Sequence, residues 1–457
     1  MFDKPTLKGL AKFIWSIEDK FNLLDFEING VKIWQYQRQR IFLDIAKQLG
    51  LFEKAHTKKI KFANLLVAAP SLLYYSIFSN PIIGNYQKET LVFSSGRKIK
   101  EENKFIDIYT EYFVRQLKKE SFEIIEELYL NKHFTSDRKN RKHQDFQQIR
   151  TFLKSKLSSF ALNELEEEYI SKIEIEIFNF LGIKLNLKKQ MRNGYLFFKN
   201  DFEFYENLIN KRKPKQIFMV CSYDYKMALV AAAKKNNVEA IEIQHGTMNE
   251  FHLGYSYPNH DYIDYFPDKI YFWGEYWKNC THFPIKEENK IIYGFPFFQK
   301  QKEKFKETTK QKGRVLIISQ GTIGNKLSEF IWNNRDLFEE LTISYKLHPG
   351  EYDRWKTDYP YLQKINMLEN FTIVDNNNTN LYSYMAKSEF VIGVYSTAIY
   401  EALSFKCKGI VINLPGVEYF NDLIKDKIVR LVNNKEELHS CFKFDNYKKF
   451  NANYFFS

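Results

Sequence analysis

Cysteine is scarce in this chain. Its four residues, Cys221, Cys280, Cys407 and Cys441, lie far apart with no CxxC pair, which excludes a disulfide framework and the paired-cysteine zinc sites. Isolated thiols bordering apolar segments fit a reducing compartment. Histidine shows no clustering at metal-ligand spacing, and no DxD motif stands where a cation would bridge a diphosphate. Neither a metal nor a bound cofactor is therefore expected. Long apolar runs are missing too. The nearest approach, Ala63 to Gln87, is uncharged but broken by Asn64, Pro70, Ser71, Asn80 and Pro81, whereas a spanning helix needs about 20 continuous apolar residues. With Lys58, Lys59 and Lys61 before it, the run reads first as a buried segment leading into a domain and second as an element resting on an anionic bilayer. Met1 to Lys20 is amphipathic and charged rather than an apolar leader. The expected location is cytoplasmic, extending at most to the cytoplasmic face of the inner membrane. Helix-turn-helix, zinc-finger and RNP signatures are absent and the basic residues are scattered, which argues against nucleic acid as a partner.

What the chain has in excess is positive charge. A formal charge of +12 and a pI near 9.1 point to an anionic partner such as a nucleotide, a lipid headgroup or an acidic polymer. A length of 457 residues allows two or three domains. Residues 1–87 read as a helical N-terminal segment, with Phe13, Ile17, Phe21 and Leu24 at helical spacing and Trp34, Arg38 and Arg40 as packing and solvated face. Thr90 to Gly96, followed by Arg97, reads as the first strand of an α/β domain over 88–298. Within it we expect a helix over Phe105–Leu117 and a basic solvated loop over Lys132–Lys142. A second helix, Ala161–Leu181, carries Leu162, Leu165, Tyr169, Ile173, Ile177 and Phe180 as its packed stripe. Regular α/β alternation begins at Gln216, and the strand Val238–Ile243 ends in Gln244-His245-Gly246-Thr247. The aromatic segment Asn249–Asp268 after it is long enough to be expected at a site. Gln299–Gly313 is a charged run read as a linker (299–313), and 314–457 as a second α/β domain.

The chain is organised around Ser388–Ile412: a buried strand, a Tyr395-Ser396-Thr397 turn, a helix and a second buried strand. Small hydroxyl residues at that helix start can cap it, and its unpaired N–H groups and dipole favour a phosphate. Glu401, one turn on, can accept from a ribose diol. Lys346-Leu347-His348-Pro349-Gly350 closes another strand, and proline and the turn after it hold the imidazole at the strand's carboxyl end. Open α/β sheets bind ligands at that edge. There His348 can donate to phosphate and, with a pKa near neutrality, neutralise a departing nucleotide. Ser319-Gln320-Gly321-Thr322 closes a third strand with small donors. A capping pair and a loop histidine account for each motif singly; their joint placement on successive strand ends favours a nucleotide site.

Three elements carry a wider resemblance: IEIQHGTM with GYSYP and FPDKIYFWGEYW; KLHPGE; and VYSTAIYEALSF with GIVINLPG. Over roughly residues 215–430, with a weaker echo at Leu91–Arg97 and IDIYTEY, the chain resembles bacterial cell-surface polysaccharide glycosyltransferases of GT-B architecture, which make capsule and lipopolysaccharide. The His-Pro and Ser-Thr pairs look like those of bacterial sialyltransferases and polysialyltransferases, and CDP-glycerol polymerases share a similar pair. The resemblance implies an α/β GT-B fold, two Rossmann-like domains facing across a cleft, with the helical N-terminal segment added. It implies a nucleotide-sugar co-substrate, CMP-linked by preference, whose phosphate is held by His348, Ser396 and Thr397. It further implies an oligosaccharide, polysaccharide or glycolipid acceptor, and with no DxD motif the transfer is expected to be metal-independent, resting on fixed donors. On the donor side stand Ser319, Gln320, Gly321, Lys346, His348, Pro349, Ser396, Thr397 and Glu401; on the acceptor side Arg97, Gln244, Tyr255 and Tyr257. The acidic pair that supplies the base in those sialyltransferases is missing. His245 takes its place, with Glu250 second and Asp224 third. A nucleotide-sugar 2-epimerase of the same architecture, a glycerophosphotransferase and a non-enzymatic basic scaffold are the competing readings.

Overall fold

The computed structural model describes residues 6–53, 70, 72–101, 104–128, 133–134, 140–443 and 447–457. Two all-parallel sheets dominate it. The first contains β1 (Thr90–Phe93), β2 (Phe122–Glu126), β3 (Arg141–His143), β4 (Gln216–Val220), β5 (Glu239–Ile243), β6 (Lys269–Phe272) and β7 (Lys290–Ile292), in spatial order β7-β6-β5-β4-β1-β2-β3. The second contains β8 (Gln311–Ile318), β9 (Thr342–Lys346), β10 (Phe371–Val374), β11 (Ser388–Gly393), β12 (Lys408–Ile412) and β13 (Val429–Val432), in order β10-β9-β8-β11-β12-β13. Strands such as IFMV in β4 and VLII in β8 are apolar without alternation because parallel sheets are covered on both faces. The strand order reverses beside β1 in the first sheet and beside β8 in the second. Both reversals leave a crevice at the carboxyl ends of the strands. The expected architecture, two Rossmann-like domains with an added helical segment, is the one formed.

Several elements differ from the sequence reading. Residues 104–107 form a strand paired with Lys98–Glu101, and only Glu111–Val114 of the expected Phe105–Leu117 helix is helical. Asp107 is the reason. Its carboxylate accepts from Ser95 N (2.7 Å), Tyr109 N (2.9 Å) and Thr110 Oγ1 (2.9 Å), turning the chain where a helix would continue. Helix Glu164–Leu181 buries Ile170, Ile173 and Ile177, while Leu165 is 78% exposed, so its packed stripe is narrower than expected. Arg38 is not on a solvated face. It is buried against Glu18 (2.6 and 2.9 Å) and donates to the carbonyls of Leu253 and Ser256. This clamps helix Ile33–Gln48 to the Asn249–Asp268 segment.

The expected linker is structured. Helix Pro296–Lys304 buries Phe297, Phe298 and Gln301 between the sheets, and β8 begins at Gln311. Nor does the second domain keep the chain to its end. Ala452–Phe455 is helical and the tail returns to the first domain, with Ser457 N on Trp273 O (2.8 Å) and Trp277 Nε1 on Phe455 O (2.7 Å). Gly294, at φ +84, permits this approach: a Cβ there would sit 2.4 Å from Ser457 O.

Of the apolar run Ala63–Gln87, residues 63–69 and 71 lie outside the described residues. Residues 72–78 are helical, and Leu73, Ile77 and Phe78 are exposed. No helix among the described residues is long and apolar enough to cross a membrane. Much of the basic Lys132–Lys142 piece is likewise outside the description, but Arg141 is paired with Glu126 (3.0 Å).

Candidate functional site

Ser396 caps helix Thr397–Ser404 from extended backbone (φ −161, ψ 139), its hydroxyl accepting from Ala398 N at 3.3 Å. Thr397 Oγ1 accepts from Thr247 N at 3.2 Å. This bond crosses from the second domain to the loop after β5 and brings His245-Gly246-Thr247 onto the helix end. Both hydroxyls use an oxygen lone pair there, so each keeps its proton to donate.

His348 follows β9, beside β8. Its Nδ1 accepts from Gly350 N (3.1 Å), and its backbone N–H goes to Glu351 Oε2 (2.6 Å). An Nδ1 that accepts leaves the proton on Nε2, so His348 is a neutral donor. Although the residue is exposed, desolvation of its ring and the charges of Arg97, Arg354 and Lys346 push its pKa down to about 4. The expected near-neutral titration is therefore corrected: donation, not charge, is what this imidazole offers. Gly321 brings the β8 loop alongside, since a Cβ there would lie 3.7 Å from His348 Nδ1.

The contacts of His245 fit the opposite tautomer. Its Nδ1 is 3.4 Å from Tyr255 Oη and 3.6 Å from Glu242 Oε1, and Tyr255 donates its proton to Glu242. The tyrosine oxygen can then accept from His245 Nδ1–H, which leaves Nε2 with its lone pair. Glu242, fully buried and also accepting from Ser222 N (3.0 Å), is the fixed charge behind this relay. Sequence reading passed over it. The signal was a carboxylate inside an otherwise buried strand, IEI, where only a partnered charge is tolerated.

Arg97, after β1, reaches into the crevice from the first domain and donates to Tyr109 Oη (3.2 Å). Its side chain is solvent-exposed, yet its charge acts on His348, Lys346 and Glu401 of the second domain. Glu401 is buried beneath it and accepts from Tyr382 Oη (3.1 Å); burial pushes its pKa up to about 7 against the pull of Arg97 and Tyr382. Asp107, by holding Ser95, fixes the loop that aims Arg97, a second contribution unseen in the sequence.

Other expected residues are placed elsewhere. Lys346 donates to Tyr352, Asn376 O (2.6 Å) and Asn377 Oδ1 (3.3 Å), and burial lowers its pKa to about 8. It ties β9 to the Asn376 loop rather than presenting a free ammonium. Ser319 donates to Glu351 (2.9 Å). Gln320 holds a buried side-chain oxygen with no partner, and Pro349 opens the short turn after His348. The helix start after Gly321 is already occupied: Glu53 of the N-terminal segment accepts from Asn325 N (3.3 Å) and Lys326 N (3.0 Å). A carboxylate of the chain's own thus stands where a third phosphate contact was expected.

On the acceptor side, Gln244 is buried with both ends used, on Gly246 O (2.9 Å) and Trp273 N (2.8 Å). Tyr255 serves the relay from a buried position, and Tyr257 is buried under Arg38 (4.2 Å to the ring). Neither tyrosine faces an acceptor. Glu250 is exposed next to Phe251, which packs on Trp15. Asp224 is paired with Arg40 (2.7 Å). Of these base candidates His245 lies two residues before Thr247, whose backbone N–H meets the helix end.

No family model matches the sequence, and no protein of curated function matches it. Solved structures with a similar fold include the UDP-GlcNAc 2-epimerase of Methanocaldococcus jannaschii in complex with UDP-GlcNAc and UDP (13% identity, TM-score 0.47, covering 80% of this chain and 97% of that one). The Neisseria meningitidis UDP-GlcNAc 2-epimerase bound to UDP-GlcNAc is another (12%, 0.46, 78% and 90%). MurG of Acinetobacter baumannii is a third (8%, 0.41, 78% and 90%). At these scores and identities, function is argued from the chain's own geometry.

Proposed function

We propose that this chain is a nucleotide-sugar enzyme that holds the nucleotide phosphate between His348 and the Ser396-Thr397 helix end and moves a proton with His245. The observation that carries the reading is the pair of contacts that assign the two rings opposite tautomers, Gly350 N–H on His348 Nδ1 and Tyr255 Oη beside His245 Nδ1. His348 offers N–H from the end of β9 in the second domain, while His245 offers a lone pair from the loop of the first domain whose Thr247 N meets the helix end.

In the fuller reading the reaction is glycosyl transfer to a surface polysaccharide or glycolipid, with a CMP-linked donor favoured by the motif resemblance. The acceptor hydroxyl gives its proton to His245 Nε2, and the charge so formed is stabilised by Glu242 through Tyr255. The acceptor oxygen bonds to the anomeric carbon as the bond to the nucleotide phosphate breaks. The electron pair leaves on a phosphate oxygen that receives the Nε2–H of His348, the two hydroxyls and the helix N–H groups. Arg97 adds a positive charge from across the crevice, and Glu401 lies one turn down the helix on the ribose side. A second reading, 2-epimerisation of a nucleotide sugar, gains support from the buried carboxylates Glu242 and Glu401, since that chemistry needs carboxylates in the cleft. It is also the activity named for the two epimerases above.

Calorimetric titration with CMP, CDP, UDP and GDP, followed by incubation with nucleotide sugars with and without acceptor, tests this. Nucleotide release that depends on acceptor supports transfer; a changed sugar without acceptor supports epimerisation; no affinity for any nucleotide overturns both. His348→Ala is expected to lower turnover by ~100-fold or more in a folded protein, and full activity would remove His348 from the mechanism.

A further inference from the structure

The connection between β2 and β3 gathers side chains that the crevice chemistry does not use. Glu126 ends β2, His143 ends β3 and His133 lies between them in sequence. Ligand atoms of the three lie within 4.8 Å of one another. The group is closed to solvent: Glu126 and His143 are each 1% exposed, as are the side chains of His133 and Asp145. Among the described residues, both ring nitrogens of His143, and Nδ1 of His133, are buried without a hydrogen-bond partner. A buried polar group left in that state is destabilising, so the cluster is short of a partner.

The remaining contacts indicate what kind. His133 Nε2 lies 2.9 Å from Asp145 Oδ2, so Nε2 carries the proton and the Nδ1 lone pair is the one left for a ligand. A carboxylate holding the far nitrogen of an imidazole is the arrangement that orients metal-binding histidines. Arg141 (3.0 Å) and Lys98 (3.4 Å) hold Glu126 through Oε2, an outer shell of the sort that fixes a ligating carboxylate. The Tyr75 ring packs on His133 (4.2 Å) and His143 (4.5 Å) and walls the group. The sequence reading found no histidine cluster because these two are ten residues apart in the chain, and Glu126 meets His143 only through the pairing of β2 with β3.

We propose that Glu126, His133 and His143 bind one divalent transition-metal ion of the zinc type, with Asp145 as the residue that positions His133. Two neutral imidazoles and a carboxylate are borderline donors of the kind Zn2+ takes, and an enclosed site suits a structural role. β3 and β2 are the last two strands at one edge of the first sheet, separated from β5 and His245 by β1 and β4. The ion would pin the sheet edge to the start of helix Asp145–Leu157 and would stand apart from the transfer chemistry.

The test uses the full chain, stripped with a chelator and titrated with Zn2+ and, separately, Co2+. One equivalent should bind, the Co2+ form should show ligand-field absorption, and metal should raise the melting temperature. His133→Ala and His143→Ala should abolish the equivalent, whereas the exposed His282→Ala should keep it. Should either alanine variant fail to fold, Asp145→Asn decides: it should weaken affinity by about 10–100-fold with an unchanged circular dichroism spectrum. Absence of a stoichiometric equivalent in the native chain, or equal affinity in Asp145→Asn, overturns the proposal.

Discussion

At the scale of the residue, the crevice depends on which ring nitrogen holds a proton. Gly350 N–H fixes this for His348 and the Tyr255–Glu242 relay fixes it for His245. Tyr255→Phe removes the relay oxygen without touching the phosphate donors. It should lower turnover about tenfold or more while leaving nucleotide affinity unchanged, a split read from single-turnover rates and calorimetry. Glu401 gives a pH test. Its folded pKa, about 7, lies above the ordinary 4.5, so the folded state holds the extra proton and stability falls as pH rises from about 4.5 to 7. Glu401→Gln should flatten that part of the stability-against-pH curve. Identical wild-type and variant slopes would contradict the assigned environment.

At the scale of the element, buried charge does the joining. Glu18 accepts from Arg38 and from Trp34 Nε1 (2.7 Å), and Arg38 reaches two carbonyls of the segment after β5. The N-terminal helices therefore hold the rear of the loop that carries His245. Removing one partner leaves a buried charge alone, so Arg38→Ala should cost about 3–5 kcal/mol in denaturant unfolding. The same variant should loosen the loop, which hydrogen exchange at Leu253–Tyr257 would report as lost protection.

At the scale of the whole molecule, the two domains are joined by apolar seams as well as by the crevice. Phe298 packs on Phe456 (4.5 Å), Tyr382 (5.7 Å) and Phe405 (6.0 Å), and the tail lies against Trp273 (5.8 Å from Phe456). Phe456 is fully buried, so Phe456→Ala should destabilise the protein by about 3–5 kcal/mol, measured by thermal or denaturant melting. Leu7 N on Glu418 (2.8 Å) and Glu53 on the helix after β8 add bridges from the N-terminal segment to the second domain. The segment is thus shared between both domains.

Some of this was legible in the sequence for a physical reason: it is local. Apolar strands without alternation, the Ser396-Thr397 cap and the proline after His348 are set by neighbours in the chain, and together they specified two parallel-sheet domains and the strand ends where His245, His348 and Thr397 stand. Tertiary structure decided what those groups meet. Glu242 behind His245, Asp107 beneath Arg97, Glu53 at the helix after β8 and Arg38 over Tyr257 are contacts across strands, segments or domains that no local pattern encodes. The inward turn of Gln244, Tyr255 and Tyr257 was misread for the same reason: a residue's type gives the bonds it can make, and only the packed fold determines which partner is within reach.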